Sequence, residues 1–288
     1  MPDRPRPRPN NVSASVRQRL LNLAHARGQP MELLLTRYAL ERLLYRLSLS
    51  PHRERFVLKG AMLLATWFDE PHRATRDVDL LGFGDAAEDA LLATFREIMA
   101  VEVDDGVNFD LKGLRIEAIR EEVEYGGSRL RTTATLAGAR IPITVDIGFG
   151  DAVEPGVEDI DLPVLLDMPS PHLRAYPPET VIAEKFHAMV ALGRANSRMK
   201  DYYDVWMLTR AFEIEQERLQ RAIAATFDRR NTVIPPEVPD GLSDAFATDP
   251  VKQRQWDAFA QNLSGPIPEF GLVVSDLRRR LVGLLAAK

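Results

Sequence analysis

Two aspartates, Asp77 and Asp79, stand one residue apart in the apolar segment RDVDLL. Successive side chains of a β-strand point to opposite faces, so a strand here would place both carboxylates on one face. Two close carboxylates repel each other unless a cation compensates them. Mg²⁺ does this with one or two protein carboxylates, water and substrate phosphate oxygens. Aspartates at strand ends also cap turns, so the pair alone leaves metal binding and turn capping open.

A third aspartate has similar surroundings. Asp146 comes late in the apolar segment IPITVDIGFGD and is followed by Gly148 and Gly150. If this strand neighbours RDVDLL, three carboxylates meet at one edge of the sheet. Phosphoryl transfer with two divalent cations needs such a layout, since one cation activates the attacking oxygen and the other steadies the leaving phosphates. We therefore predict a metal site made of Asp77, Asp79 and Asp146.

The segment FVLKGAMLL, which contains Lys59 and Gly60, reads as a strand, a glycine turn and the start of a helix. Exposed backbone N–H groups and the helix dipole attract phosphate at such a turn, and Lys59 adds positive charge. An ordinary tight turn that uses glycine for its backbone freedom is the alternative.

A second set of charged residues lies in the C-terminal half. Lys185 falls on the apolar face of the helical segment AEKFHAMVALG, and Asp201 and Asp204 are one turn apart in the next helical segment. Burying a lysine is costly unless it has an anionic partner. The pattern fits a structural salt bridge, and it also fits a lysine that binds a triphosphate while Asp201 orients it.

Basic residues lie near both sets. Arg73 and Arg76 flank the aspartate pair, and Arg194, Arg198 and Lys200 fall between the two C-terminal helical segments. Together they could form a local basic rim for a triphosphate or an RNA backbone. A solvated charged loop is equally consistent with them.

The whole chain has 288 residues, a net charge of −5, 45% apolar residues and no cysteine. Disulfides, thiolate metal sites and cysteine nucleophiles are thereby excluded. No apolar stretch reaches transmembrane length, and the basic start MPDRPRPRPN lacks the apolar segment of a signal peptide. We expect a soluble, cytoplasmic protein without a membrane partner.

The order of elements predicts the fold class. After two helices, the first ending at Gly28, come strand, helix, strand, helix and a three-strand meander. Residues 151–178 look like a connection, and only helices follow, among them one near 241–262 and a last one near 274–287. This order predicts an α+β protein with a mixed α/β sheet. We expect three parts: a disordered Pro/Arg tail at 1–12, an α/β lobe with two N-terminal helices at 13–165, and a helical lobe at 166–288.

Three segments in this order, VLKGAMLLATWF…RATRDVDLL, VDIGFGD and PPETVIAEKFHAMVALG…NSRMKDYYDVWML, resemble the AbiEii/AbiGii nucleotidyltransferase family. Its members are toxins of type IV toxin–antitoxin and phage-defence systems, among them the MenT-like toxins. The resemblance covers about half of the chain, from Phe56 to Leu208. AEKFHAMV combined with RMKDYYD is far more specific than DVD alone. The resemblance implies a minimal nucleotidyltransferase fold of the DNA polymerase β type, with a mixed twisted sheet and a helical C-terminal lobe.

The resemblance also assigns roles to residues. It implies catalytic roles for Asp77, Asp79, Asp146, Lys185 and Asp201, metal binding by the first three, and nucleotide contacts from Lys59, Gly60, Arg76 and Lys185. Ala61 stands where the family often has a second glycine or a serine, so a phosphate contact there would fall to backbone N–H groups. Thr75 is a candidate modification site by the same analogy.

The implied activity is a nucleotidyl transfer that depends on Mg²⁺, or on Mn²⁺ in its place, with a nucleoside triphosphate (NTP) as substrate. The expected acceptor is the 3′ end of tRNA or another RNA, and a cognate antitoxin is expected from a neighbouring gene. Two alternatives stay open: transfer to a protein or small-molecule hydroxyl, and a nucleotide-binding module without catalysis.

Overall fold

The computed structural model describes residues 11–68, 75–119, 127–261, 263 and 266–285. Most of the predicted Pro/Arg tail lies outside these residues. Helix α1 (Val12–Arg27) begins where the side chain of Asn11 accepts a hydrogen bond from the backbone N–H of Ala14. It ends at Gly28, whose φ of +61° suits glycine, as the sequence predicts.

Helix α2 (Met31–Leu49) is buried along most of its length and carries charged residues into the interior. The guanidinium of Arg46 donates to both carboxylate oxygens of Asp105, at 2.6 and 3.1 Å. Asp105 is fully buried, and its Oδ1 also accepts from the backbone N–H of Val107. The pair therefore ties α2 to the segment that leads into the sheet.

The sheet has the mixed α/β character that the sequence predicts. Among the described residues it contains eight strands in the order β3-β5-β6-β2-β1-β8-β7, with β4 also paired to β5. Its strands and the two helices between them are β1 (Phe56–Lys59), α3 (Gly60–Trp67), β2 (Val78–Gly82), α4 (Glu88–Ala100), β3 (Asn108–Phe109), β4 (Arg115–Ile119), β5 (Gly127–Leu136), β6 (Ala139–Phe149), β7 (Glu158–Asp161) and β8 (His172–Ala175).

The pairing of β2 with β6 is parallel. The neighbouring pairs β1–β2 and β5–β6 are antiparallel. β5 and β6 form a hairpin whose two turn residues, Ala137 and Gly138, have φ of +46° and +82°. Such a two-residue turn matches the twist of the strands that it joins.

The predicted connection at 151–178 contains two strands, β7 and β8, which the sequence pattern does not reveal. Each has only four residues. A segment that short carries too few alternating positions to show a period of two, and acidic and proline residues surround both strands.

The rest of the chain is helical, as predicted. The helices are α5 (Pro178–Leu192), α6 (Met199–Ala211), α7 (Gln216–Arg229), α8 (Asp244–Ala247), α9 (Pro250–Ala260) and α10 (Phe270–Leu285). The single helix predicted near 241–262 is wrong: α8 and α9 are separate, because Pro250 begins a new helix that the Asp249 side chain caps. The last helix starts at Phe270, earlier than the predicted residue 274.

The chain divides into two compact units. The first comprises Met1–Thr66, Ala74–Phe149 and Ile160–Leu173, and the second Trp67–Arg73, Gly150–Asp159 and Arg174–Lys288. The predicted lobe boundary at residue 165 stays a prediction. In the part of the chain that the structure describes, no helix is both long and apolar enough to cross a membrane.

Candidate functional site

Asp79 and Asp146 are partners on neighbouring parallel strands. The register of β2 and β6 sets Asp79 beside Asp146 and Val78 beside Val145. Val78 and Val145 are buried in the core, whereas both aspartates are half-buried. One face of this strand pair therefore packs into the core, and the opposite face carries the two carboxylates. The prediction that the strand of Asp146 lies beside the strand of Asp79 is confirmed.

Asp77 lies in a bend just before β2, and its charge acts on Arg129, the partner of Asp146. The hydroxyl of Thr75 donates to Oδ1 of Asp77 at 2.9 Å. Arg76, between them, is exposed to solvent. Arg73 lies outside the described residues. Thr75 thus fixes the carboxylate of Asp77 in the segment that precedes the strand.

The glycine turn packs directly on Asp79. Lys59, at the end of β1, lies opposite Asp79 in the antiparallel register. Gly60 follows with a φ of +70° and begins α3. A Cβ atom at Gly60 would overlap Oδ2 of Asp79 and lie 2.6 Å from its Cγ, so a side chain has no room there. The carboxylate of Asp79 therefore rests on the backbone at the first residue of α3.

Arg129 on β5 binds Asp146 and does not stand out in the sequence. Its Nε and Nη2 donate to the two carboxylate oxygens of Asp146, both at 2.6 Å. These hydrogen bonds raise the pKa of Arg129 above its usual range, and the charge of Asp77 adds to the effect. The signal that could have found Arg129 is the antiparallel register, which sets it opposite Asp146.

The first unit offers hard oxygen ligands to a cation. Among the described residues, no group of three or more His, Cys, Asp or Glu side chains could hold a metal ion as it stands. Asp77 and Asp79 nevertheless fit Mg²⁺, which needs only one or two protein carboxylates beside substrate phosphates. Asp146 gives both of its oxygens to Arg129. Its availability to a cation therefore depends on Arg129.

The second unit brings the predicted lysine and aspartates together. Nζ of Lys185 on α5 lies 2.7 Å from Oδ1 of Asp201 and 3.0 Å from Oδ2 of Asp204, both on α6. All three side chains are largely buried, with 15%, 7% and 2% of their surface exposed. One ammonium thus faces two carboxylates, which leaves the buried triad with a formal charge of −1.

A neighbouring network joins α5 to the end of α7. Arg230 lies 3.5 Å from Asp151 and 3.4 Å from Glu184. The hydroxyl of Tyr176 donates to both carboxylates, at 3.5 and 3.3 Å, and its burial raises its pKa well above the usual range. The sequence does not mark Glu184 and Arg230 as partners, since they are far apart in the chain.

His187 is buried and is held by side chains from the segment that follows α7. A guanidinium nitrogen of Arg230 lies 3.2 Å from Nδ1 of His187, and Nε2 lies 2.9 Å from the hydroxyl of Thr232. The arginine can only donate, so Nδ1 accepts and the proton of the neutral ring sits on Nε2. Burial, with help from the charge of Arg230, lowers the pKa of His187 to about 4.

Three exposed cations lie in the turn between α5 and α6 and at the start of α6. Arg194, Arg198 and Lys200 all face solvent. Asn196 at the centre of the turn is fully buried, and its side-chain oxygen accepts from the backbone N–H of Arg198. Nζ of Lys252 donates to the carbonyl of Asn196 at 2.8 Å. These hydrogen bonds therefore hold the backbone of the turn beside the three cations.

Comparison with known protein families gives one match that spans most of the chain. A family model described as nucleotidyl transferase AbiEii toxin, type IV TA system, matches residues 42–278. This span contains every candidate catalytic and nucleotide-binding residue named above. No curated protein sequence matches the chain.

Two solved structures from Helicobacter pylori align with most of this chain. The structure of JHP933 has 15% sequence identity and a TM-score of 0.49, covering 88% of this chain and 94% of that one. The structure of a proposed nucleotidyltransferase also has 15% identity, with a TM-score of 0.50, covering 85% of this chain and 94% of that one.

Proposed function

The chain belongs to the AbiEii family of nucleotidyltransferase toxins of type IV toxin–antitoxin systems, and from this premise we propose a Mg²⁺-dependent enzyme that adds a nucleotide to the 3′ end of tRNA. The observation that carries the proposal is the pairing of Asp79 with Asp146 beside the Gly60 turn. The carboxylates of Asp79 and Asp146 lie on one face of the sheet together with the backbone N–H groups at the start of α3. The carboxylates suit a cation, and the N–H groups suit a triphosphate.

Asp77 and Asp79 would hold the cation, for which Mn²⁺ can substitute. A bound divalent cation would neutralise phosphate charge and lower the pKa of the attacking hydroxyl. The protein's own part is to fix the two carboxylates: the hydroxyl of Thr75 holds Asp77, and the backbone of Gly60 supports Asp79. Catalysis in this reaction class is mainly positioning and neutralisation of charge.

In the proposed reaction, the 3′-hydroxyl oxygen of the acceptor forms a bond to the α-phosphorus of the NTP. The bond from that phosphorus to the oxygen bridging the α- and β-phosphates breaks, and pyrophosphate leaves with the bonding electrons. Asp146 accepts the hydroxyl proton once its oxygens are available. No change of oxidation state occurs, so the NTP and the acceptor are the only reactants.

The nucleotide contacts follow the family resemblance. Backbone N–H groups at Gly60 and the charges of Lys59 and Arg76 would bind phosphate oxygens, and Lys185 would neutralise the triphosphate. Asp201 holds Lys185 at 2.7 Å and would orient it. The salt bridge to Asp201 and Asp204 supports this role without excluding a purely structural one, because a buried lysine needs carboxylates for either.

RNA as the acceptor is supported by the basic turn, defined as Arg194, Arg198 and Lys200. Cations on a fixed backbone suit the regularly spaced phosphates of RNA. Replacing all three by glutamine should weaken tRNA binding and reduce the slope of log K against log [salt] by about two to three. A matched triple variant of Arg278, Arg279 and Arg280, which pair with Asp244 or Asp276, should change the slope less.

The activity is tested by incubating the purified chain with total RNA and each labelled NTP, followed by sequencing of tRNA 3′ ends. Wild type should add label to tRNA, and Asp79→Asn should add none. Asp161→Asn, at an exposed position of β7, is the control and should keep activity. Equal labelling by wild type and Asp79→Asn would contradict the proposal that Asp79 binds the catalytic cation.

The same experiment separates the alternatives. Label on a protein or a small molecule such as an aminoglycoside, with none on RNA, would reassign the acceptor. Tight NTP binding with no transfer to any acceptor would support a module without catalysis. We further propose that the enzyme acts in the cytoplasm, where its RNA and NTP substrates are, and that a cognate antitoxin counters it there.

A further inference from the structure

We propose that Arg129 and a divalent cation compete for Asp146. Arg129 must then release this carboxylate before Asp77, Asp79 and Asp146, the acid set, can all bind the metal. The inference rests on the proposed metal site and adds to it a residue with a defined positioning role. Arg129 contacts an acid of the site and not the reacting atoms, so it is a positioning residue.

The geometry shows what the arginine occupies. Nε and Nη2 of Arg129 take both oxygens of Asp146 at 2.6 Å, a two-point contact of the strongest hydrogen-bonded type. A carboxylate bound in this way directs one in-plane lone pair of each oxygen at the guanidinium. Its oxygens cannot bind a cation in the same directions until at least one of these hydrogen bonds opens.

The pair is placed where it can open. The Arg129 side chain is 34% exposed and that of Asp146 17% exposed, so water can replace either partner. Nη1 of Arg129 makes no hydrogen bond to any residue that the structure describes. The guanidinium therefore keeps one N–H edge for an incoming anion while it still holds Asp146.

The charge of Arg129 extends to the rest of the acid set. Its attraction to Asp77 contributes to its raised pKa, behind the bond to Asp146. Three carboxylates on one sheet face would otherwise repel each other. Arg129 thus supplies, in the protein alone, part of the positive charge that a bound cation supplies later.

This arrangement couples binding of the cation to binding of the nucleotide. Triphosphate oxygens offer a guanidinium a second partner of the same kind as a carboxylate. A nucleotide that arrives with its cation would draw Arg129 from Asp146 and free the carboxylate. A cation that arrives alone must break the pair without such help, so the protein should bind the metal weakly until a nucleotide is present.

The test measures binding of Mn²⁺ alone to the full chain, from the electron paramagnetic resonance signal of the free ion. Arg129→Met should bind Mn²⁺ roughly tenfold more tightly than wild type, because a neighbouring guanidinium lowers a carboxylate's affinity for a proton by at least about this factor and should do the same for a cation. Arg129→Lys, which keeps the charge but loses the two-point contact, should lie between them. Arg131→Met is the matched control: it removes an arginine two residues along β5 whose partner is Glu117, at 3.0 Å.

The same measurements are repeated with Asp146→Asn in each variant. If competition for Asp146 causes the effect, the gain from Arg129→Met should largely disappear in that background, because the contested carboxylate is gone. Melting curves establish that each variant is folded, and Arg129→Lys serves if Arg129→Met is not.

Three outcomes decide the matter. Tighter Mn²⁺ binding in Arg129→Met that depends on Asp146 supports the inference. Wild-type affinity in Arg129→Met, or an equal gain in Arg131→Met, overturns it and leaves the metal site standing. Failure of every variant, including wild type, to bind Mn²⁺ overturns the metal site and the competition with it.

Discussion

The side chain of Asp79 fills the space that a side chain at Gly60 would need. A Cβ atom at Gly60 would lie 2.6 Å from Cγ and 2.7 Å from Cβ of Asp79. Gly60 also has a φ of +70°, which a residue with a side chain rarely adopts. Glycine is needed here for two separate reasons, and only one of them concerns the backbone. The other concerns a proposed metal ligand.

Gly60→Ala should therefore abolish nucleotidyl transfer and lower the free energy of unfolding by about 3 kcal/mol, because it combines backbone strain with a steric clash. Gly28→Ala is the control, since Gly28 has a φ of +61° but no atom within 4 Å of the place that a Cβ would take. It should cost about 1 kcal/mol and leave activity intact. Urea unfolding and label transfer measure the two effects. Equal costs for the two variants would contradict the contact with Asp79.

Lys185→Met should lower the free energy of unfolding by about 3 kcal/mol, because it leaves Asp201 and Asp204 buried without their cation. The triple variant with Asp201→Asn and Asp204→Asn should recover much of this loss. If activity stays absent in a triple variant that is stable again, Lys185 and Asp201 act together on the nucleotide and are not only structural. If activity returns with stability, the salt bridge is structural only.

His187 predicts a pH dependence of stability. Its pKa in the folded protein is about 4, below the ordinary value of 6.5, so the unfolded chain takes up the proton first as pH falls. Stability should fall between pH 6.5 and pH 4, by about 3 kcal/mol over the whole interval from this group. His187→Gln should flatten that part of the curve in denaturant titrations, while His25→Gln, on the exposed side of α1, should not. Parallel curves for wild type and His187→Gln would contradict the assignment.

Asp105→Asn should cost about 3 kcal/mol, because it leaves the buried Arg46 guanidinium without a compensating charge. Adding Arg46→Met should recover part of the loss, and asparagine keeps the oxygen that accepts from Val107. Glu117→Gln breaks the exposed pair with Arg131 and should cost under about 0.5 kcal/mol. Thermal unfolding of wild type and the three variants measures all of these differences.

Much of the first unit could be predicted from the sequence because its segments carry clear periods. The strands at Val78–Gly82 and Ala139–Phe149 can both be recognised in the sequence as apolar segments. The carboxylates come together only if these two strands pair. The spacing of apolar residues within a segment does not determine which strands become neighbours in the sheet. The structure adds that step, through the parallel register of Asp79 and Asp146.

What the sequence could not show depends on contacts between distant segments. Arg129 looks like any outward arginine of a strand with one wet face until the register sets it opposite Asp146. Arg230 reaches Glu184 and His187 only because the end of α7 lies beside α5. Lys185 could be found from the sequence, since an apolar helix face that contains a lysine is itself unusual.

The parallel pairing of β2 with β6 has a consequence for the newly made chain. β2 ends at Gly82, but its partner strand begins only at Ala139. A nascent chain therefore exposes Asp77 and Asp79 on the ribosome long before Asp146 can join them. Pairing of such distant segments is slow compared with local hairpins, so a chain that ends before β6, or in which β6 has not yet paired with β2, lacks the assembled Asp79–Asp146 pair.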